Sequence, residues 1–211
     1  MELPVPLERD PSSVSIVPVS DEDLMGRAAE DDERAFTELV RRFQGRVTNL
    51  ISRVLNDREA SDDLAQEVFV RVYAHRRNYR RGSKFSTWLF TIAANLAKNE
   101  IRRRVRRRNW FSLDALQEML QDSAPQLADP REGQEMALQR GQLAELVGQA
   151  IAAVPEKYRM ALVLRDIESM AYEEIAEVLG IPGGTVRSRI NRARGMLKRK
   201  LQPLLRREGS Q

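Results

Sequence analysis

Apolar side chains recur at steps of three and four along most of this chain, and no stretch alternates for long. Such a period stacks side chains on one face of a helix, whereas a half-buried strand needs a period of two. The first stripe runs through Phe36, Leu39, Val40, Phe43, Val47, Leu50, Ile51, Val54 and Leu55. A second joins Leu64, Ala65, Val68, Phe69, Val72 and Tyr73, and a third Trp88, Leu89, Ile92, Ala93, Leu96 and Ile101. With a short leading helix over Asp21–Ala29, these close a small bundle. The stretch Asp57–Asp63 supplies a cap and first-turn acids for the second helix, and Ser86 is the candidate N-cap of the third.

After Asn109 the pattern degrades. Ser123-Ala-Pro125 and Asp129-Pro130 break helices, and acids recur at Asp114, Glu118, Asp122, Asp129 and Glu132. One short helix fits near Leu113–Leu120. Regular periodicity resumes near Gln134, with Leu143, Leu146, Val147, Ala150, Ile151 and Val154, and Pro155 suits the first turn of a further helix. The expected fold is all-α: an N-terminal helical bundle and a C-terminal helix-turn-helix domain joined by a flexible acidic linker. The corresponding spans are a disordered tail over 1–20, a bundle over 21–108, a linker over 109–134 and a C-terminal domain over 135–207.

The C-terminal domain ends in Tyr172-Glu-Glu-Ile-Ala, a Gly180-Ile-Pro182 turn and a helix that carries no acid. Val186, Ile190, Ala193 and Leu197 share a narrow arc that faces the domain's own core. Ser188, Asn191 and Arg192 lie opposite, with Thr185, Arg187 and Arg189 nearer the flanks. Arginine bridges both acceptors of guanine, asparagine pairs with adenine and serine serves either, so this face suits base edges in a major groove. Arg194 and Lys198 suit phosphates, which add affinity without sequence information. An ordinary amphipathic helix with a charged exterior is the competing reading.

The third helix of the bundle carries Thr91, Asn95, Lys98, Asn99 and Arg102 away from its apolar stripe and continues into Arg103-Arg104-Val105-Arg106-Arg107-Arg108. The preceding loop mixes Tyr79, Lys84 and Phe85, basic and aromatic groups suited to holding an unstacked base, although Tyr79, Phe85 and Trp88 equally suit packing. Asp62, Asp63, Gln66 and Glu67 make an acidic face at the start of the second helix. Complementing the helix dipole and docking a basic partner both explain it.

Net charge is only +4, but the basic residues cluster, which is the footprint of a polyanion partner. There is no cysteine and a single histidine, His75, so thiolate zinc chemistry is excluded and no catalytic constellation or glycine-rich phosphate loop is present. The N-terminus is acidic and broken by Pro4, Pro6, Pro11 and Pro18, unlike a secretory signal. No apolar run approaches the roughly 20 residues of a membrane span. The expectation is a cytoplasmic, non-enzymatic protein that needs no cofactor.

Together these residues resemble the sigma-70 family of bacterial transcription initiation factors, within it the extracytoplasmic-function (ECF) group, from about Asp21 to Leu205. Asp62-Asp-Leu-Ala-Gln-Glu-Val-Phe69 is similar to the family's polymerase-docking helix. Phe85-Ser-Thr-Trp-Leu-Phe-Thr-Ile-Ala93 with Asn95, Lys98 and Asn99 is similar to its −10 recognition helix. Tyr172 to Ala176 and Gly184 to Arg189 are similar to its −35 reader. The resemblance implies that Asp62, Asp63, Gln66 and Glu67 meet the clamp helices of core RNA polymerase's largest subunit. It also implies that the C-terminal domain meets the flap region, that the acidic linker threads the RNA path, and that the loop from Arg77 to Ser86 captures a flipped base. Many ECF members are held by an anti-sigma protein, so that partner is implied as well.

Two positions depart from the family pattern. Ala171 replaces the usual serine before Tyr172, so Ser169 is the candidate substitute cap, and Gly183 replaces a larger apolar residue and should loosen the start of the reading helix. An ordinary helix-turn-helix regulator explains the C-terminal unit equally well, but leaves the basic third helix, the basic-aromatic loop and the acidic helix without a common purpose. An enzyme acting on nucleic acid lacks any catalytic group to build on.

Overall fold

The computed structural model describes residues 19–111 and 145–208, and every regular element within them is helical. Helix α1 spans Asp21–Ala29, α2 Glu33–Leu55, α3 Arg58–Ala74 and α4 Phe85–Phe111. The second half holds α5 over residues 145–152, α6 over Glu156–Leu162, α7 over Tyr172–Leu179 and α8 over Gly183–Glu208. The tail before residue 19 and the acidic stretch 112–144 lie outside the described residues. Within reach of description, α4 runs three residues into the span assigned to the linker.

Local capping sets the helix starts. Ser20 accepts from the Asp23 N–H at 3.0 Å, Asp32 from Ala35 at 3.1 Å and Asp57 from Ala60 at 3.1 Å. Each satisfies an amide that has no partner inside its helix. Helix α2 stops at Asn56, which takes the left-handed conformation at φ 54°. The start of α4 differs from the sequence expectation. The helix begins at Phe85, one residue before Ser86, and the Lys84 side chain ahead of it has no acceptor to offer. The Phe85 N–H instead donates to Glu22 Oε1 at 3.1 Å, so α1 caps α4 from across the bundle.

The three apolar stripes meet as anticipated. Leu39, Val47, Leu50, Ile51, Val68, Val72, Leu89 and Ala93 are fully sequestered, and α1, α2, α3 and α4 pack on one another. In the second half, α6 widens into a π-turn at Val163–Ile167, closed by the Glu168 N–H donating to Val163 O at 3.0 Å. Gly180 ends α7 with φ 64°, where a side chain would be strained, and Ile181 N–H reaches back to Ala176 O at 3.1 Å.

Ser169 does not cap α7. It sits at φ 56°, and Ala171 occupies the N-cap without an acceptor, while Glu174 Oε2 accepts from the Ala171 N–H at 2.8 Å. Only this half of the reciprocal capping box is available to an alanine. Gly183 opens α8 in helical backbone, and the turn is pinned behind it by Thr185 N–H and Val186 N–H donating to Pro182 O. A Cβ on Gly183 would meet nothing within 4 Å. Gly183→Ala should therefore raise stability by about 0.4–1 kcal/mol, by restricting the unfolded chain, and thermal unfolding would show it as a higher midpoint.

The halves are not independent. Helix α7 packs along α4, while α2 touches α6 and the π-turn. One cluster of buried side chains runs from Leu24 and Phe43 through Phe90 to Val163, Ile175 and Ile190. A smaller cluster of Val154, Leu162 and Ala193 seats α8 on α6.

Candidate nucleic-acid interface

Helix α8 divides as its spacing predicts. Val186, Ile190 and Ala193 are wholly buried, and Leu197 packs partly against them. Arg187, Ser188, Asn191, Arg192, Arg194 and Lys198 are exposed, with Thr185 and Arg189 half-buried at the flanks. One continuous polar face with amide, hydroxyl and guanidinium groups results. Ser188 Oγ donates to Thr185 O at 3.0 Å, which fixes the hydroxyl while leaving its lone pairs outward. Arg194 is held differently from its neighbours: Asp166, on the π-turn, grips it through both carboxylate oxygens, with Nε–Oδ2 at 3.0 Å. Its charge is already matched, so a phosphate must compete for it.

The π-turn contributes a cation that sequence reasoning missed. Arg165 donates to Met170 O at 2.7 Å and lies 5.0 Å from the centre of the Tyr172 ring, while Arg187 lies 5.8 Å from the same ring. Tyr172 thus engages two guanidiniums, one from the π-turn and one from the exposed face of α8. Nothing in the helix-turn-helix spacing points to Arg165, because a π-turn shifts register by one residue and leaves no periodic trace.

On α4, Asn95, Asn99 and Arg102 are exposed along one stripe. Thr91 is half-buried, and its Oγ1 donates to Thr87 O at 2.7 Å. Lys98 falls in the same stripe but is half-covered, with Nζ 3.4 Å from Leu179 O, and burial pushes its ammonium below the ordinary lysine value. Lys84 remains exposed and pairs with Glu174, holding that carboxyl below its usual range.

Tyr79 and Phe85 do not stand where a base could stack on them. Phe85 has no exposed surface, and Tyr79 is 8% exposed. Phe85 meets Phe43 edge-on at 5.1 Å, and Tyr79 lies 5.4 Å from Trp88. Tyr79 donates its hydroxyl to Ser83 O, and burial pushes that hydroxyl's pKa up. The aromatic groups of this loop are its anchor to the bundle. Three arginines here are held as well, Arg76 and Arg77 by Asp31 and Arg81 by Glu30.

The acidic face of α3 is as exposed as its spacing implies. Asp62, Asp63 and Gln66 face outward, and Glu67 pairs with Arg71 at 2.7 Å. Asp62 and Gln66 also rim an apolar groove between α2 and α3, floored by Phe36, Val40 and Phe69 and continued by Val70 and Tyr73. Val70 is 61% exposed, which the sequence pattern did not single out. Among the described residues no cluster of potential metal ligands occurs, and no helix is long and apolar enough to cross a membrane.

Known proteins share this organisation in the same order. The family description "Sigma-70 region 2" matches residues 39–107, and "Sigma-70, region 4" matches residues 144–197. The RNA polymerase sigma-H factor of Pseudomonas aeruginosa is 41% identical over 186 residues, 88% of this chain and 96% of that protein. The ECF RNA polymerase sigma-E factor of Escherichia coli is 37% identical over 189 residues, 90% of this chain and 98% of its own. Among solved structures, CnrH in complex with the cytosolic domain of CnrY aligns with a TM-score of 0.64 at 24% identity, covering 87% of this chain and 97% of that one. RpoE of Bartonella quintana in complex with the anti-sigma factor NepR aligns with a TM-score of 0.65 at 20% identity, covering 79% and 96%. With both regions present and relatives matched over nearly their whole length, this chain belongs to the sigma-70 family, in its ECF group of RNA polymerase sigma factors, which initiate transcription and are not enzymes.

Proposed function

We propose that the exposed face of α8 reads the −35 promoter element and that α4 reads the −10 element. In the first role Arg187, Ser188, Asn191 and Arg192 meet base edges, with Thr185 and Arg189 at the flanks and Arg194 and Lys198 on phosphates. In the second, Asn95, Asn99 and Arg102, with Thr91, Lys98 and Lys84, line the path of the downstream strand. The observation that carries the reading is the strict division of α8 into a buried apolar arc and an exposed face of amide, hydroxyl and guanidinium groups. Region 2 is taken as residues 21–108, the linker as 109–134 and region 4 as 135–207.

The exposed acids Asp62 and Asp63, with Gln66 and the half-buried Glu67, dock the clamp of the polymerase's largest subunit, and region 4 sits at the flap. Such a factor works where the chromosome is, in the cytoplasm. An anti-sigma protein is its natural antagonist, a reading supported by the partners named for CnrH and for the Bartonella RpoE.

Purified protein mixed with core polymerase should yield promoter-specific transcripts that core polymerase alone does not make, and their absence would refute the assignment. For the docking face, the pair Asp63→Arg and Glu67→Arg should weaken polymerase binding by about tenfold or more, since like charges then face the clamp. Affinity for a −35 duplex should stay unchanged. A complex as tight as the parent's would remove these residues from the interface.

A further inference from the structure

The basic loop that leads into α4 is met by acids at the corner between α1 and α2. Helix α1 closes with the Asp31 N–H donating to Ala28 O at 3.2 Å and the Asp32 N–H donating to Arg27 O at 3.1 Å. That closure needs left-handed backbone at the residue after the cap, and Asp31 sits there at φ 69°. Glycine or asparagine suits such a position better than aspartate, so backbone preference does not account for the carboxylate. Its contacts do. Oδ1 takes Arg76, and Oδ2 takes Arg77 at 2.6 Å. Hydrogen bonds from Arg76 and then Arg77 hold the Asp31 carboxyl below its ordinary range. Next to it Glu30 takes Arg81. Arg76 is fixed from a second side, since it donates to Tyr73 O at 2.8 Å and lies 4.1 Å from the centre of the Tyr73 ring. Arg80 differs. It is exposed on a turn closed by the Ser83 N–H donating to Arg80 O at 3.1 Å, and among the described residues no acid pairs with it.

We propose that Asp31, with Glu30 beside it, sets the sequence discrimination of the −10 loop by withholding Arg76, Arg77 and Arg81 from phosphates. The proposal rests on the reading that α4 and the loop before it meet the −10 strand. Residues 76–84 carry five cations, Arg76, Arg77, Arg80, Arg81 and Lys84. Cations on phosphates raise affinity without regard to sequence, and only contacts to bases tell one strand from another. A cognate strand is pinned in one register by its bases. A wrong strand is free to slide until its phosphates find every open arginine, so open arginines favour the wrong strand. The two acids remove that advantage and leave Arg80 as the open arginine of the loop. Exposed ion pairs of this kind add little to stability, so Asp31 acts as a competitor of the nucleic acid and not as a clamp on the fold.

Asp31→Asn tests this, because asparagine keeps the left-handed backbone and removes only the charge. The full chain is bound to core polymerase and titrated with two single strands, its own −10 non-template strand and a scrambled one, with core polymerase alone as the blank. Mapped transcript starts supply the first strand. Affinity for the scrambled strand should rise by about three- to tenfold, as expected when two exposed pairs are released. Its log–log salt slope should steepen by about 0.7–1.4, for one or two further phosphates. The cognate strand should gain less, so the ratio between the two falls. Asp31→Gly should behave in the same way, and binding of the free chain to the −35 duplex should stay unchanged in both. Adding Arg77→Gln to Asp31→Asn should return the slope towards the parent's. Glu33→Gln removes an equal charge from the exposed first turn of α2, where it pairs with none of these arginines, and should leave the ratio alone. Equal gains on both strands, the same effect from Glu33→Gln, or a loss of cognate affinity without a gain on the scrambled strand would overturn the proposal. The last result would make Asp31 a mere prop for the loop. A parent that binds both strands alike would overturn the −10 assignment itself, and the proposal with it.

Discussion

Replacing Phe85 with alanine should lower the unfolding free energy by about 3–5 kcal/mol, the cost of removing a large aromatic group from a closed core. Phe85 has no exposed surface and packs edge-on against Phe43 at 5.1 Å, with Tyr79 and Trp88 on its other sides. A denaturant titration of the full protein checks the loss directly. Phe85→Leu keeps most of the volume and should recover much of it. The result also decides between two roles. A side chain that stacked on an extruded base would leave stability nearly intact when truncated and would lose −10 strand affinity alone. If Phe85→Ala unfolds at the parent's denaturant concentration, the anchoring role described above is wrong.

The second large effect lies on α8. Arg192→Ala should weaken binding to the cognate −35 duplex by about 1–3 kcal/mol and flatten the preference among base substitutions at one position. Arg192 is exposed in the middle of the polar face of α8, and among the described residues it makes a long contact of 3.4 Å to the Tyr158 hydroxyl, so little must be broken there before it meets a base. Lys198→Ala should behave differently. It should weaken all duplexes about equally and reduce the salt dependence of binding by about one unit of log–log slope, as expected of a phosphate contact. A titration series over several salt concentrations separates the two. Unchanged base preference in Arg192→Ala would move the reading function elsewhere on the helix.

Much of this was legible in the chain because helical period is a strong signal. Phe43, Val68 and Leu89 at the centres of the three stripes and the arc of Val186, Ile190 and Ala193 are buried where their spacing put them, while Phe36, Val40, Leu64, Trp88, Ile92 and Ile101 pack at the margin and Tyr73 is 39% exposed. Asp62 and Asp63 are exposed for the same reason, since they lie off the stripe of α3. Aromatic residues in the basic loop were harder. Tyr79 and Phe85 suit a base or a core equally by type, and only the position of Phe43 and Trp88 decides between them. Ser86 was a sound local candidate for a cap, but Glu22 lies 63 residues away in sequence and satisfies the Phe85 amide instead. Arg165 and Glu168 were invisible because a π-turn breaks the period that would have given their direction. The Arg46–Glu168 pair joins residues 122 positions apart, so no local pattern encodes it.

The amide at the head of α4 makes the helix proposed to read the −10 element dependent on α1. The match to region 2 starts at residue 39, yet Glu22 lies well before it. A fragment trimmed to that boundary would keep every residue proposed to touch the strand and still begin its reading helix frayed, so a weak isolated region 2 would report a missing clasp and not poor chemistry. Any dissection of this factor should keep the sequence from Ser20 onward.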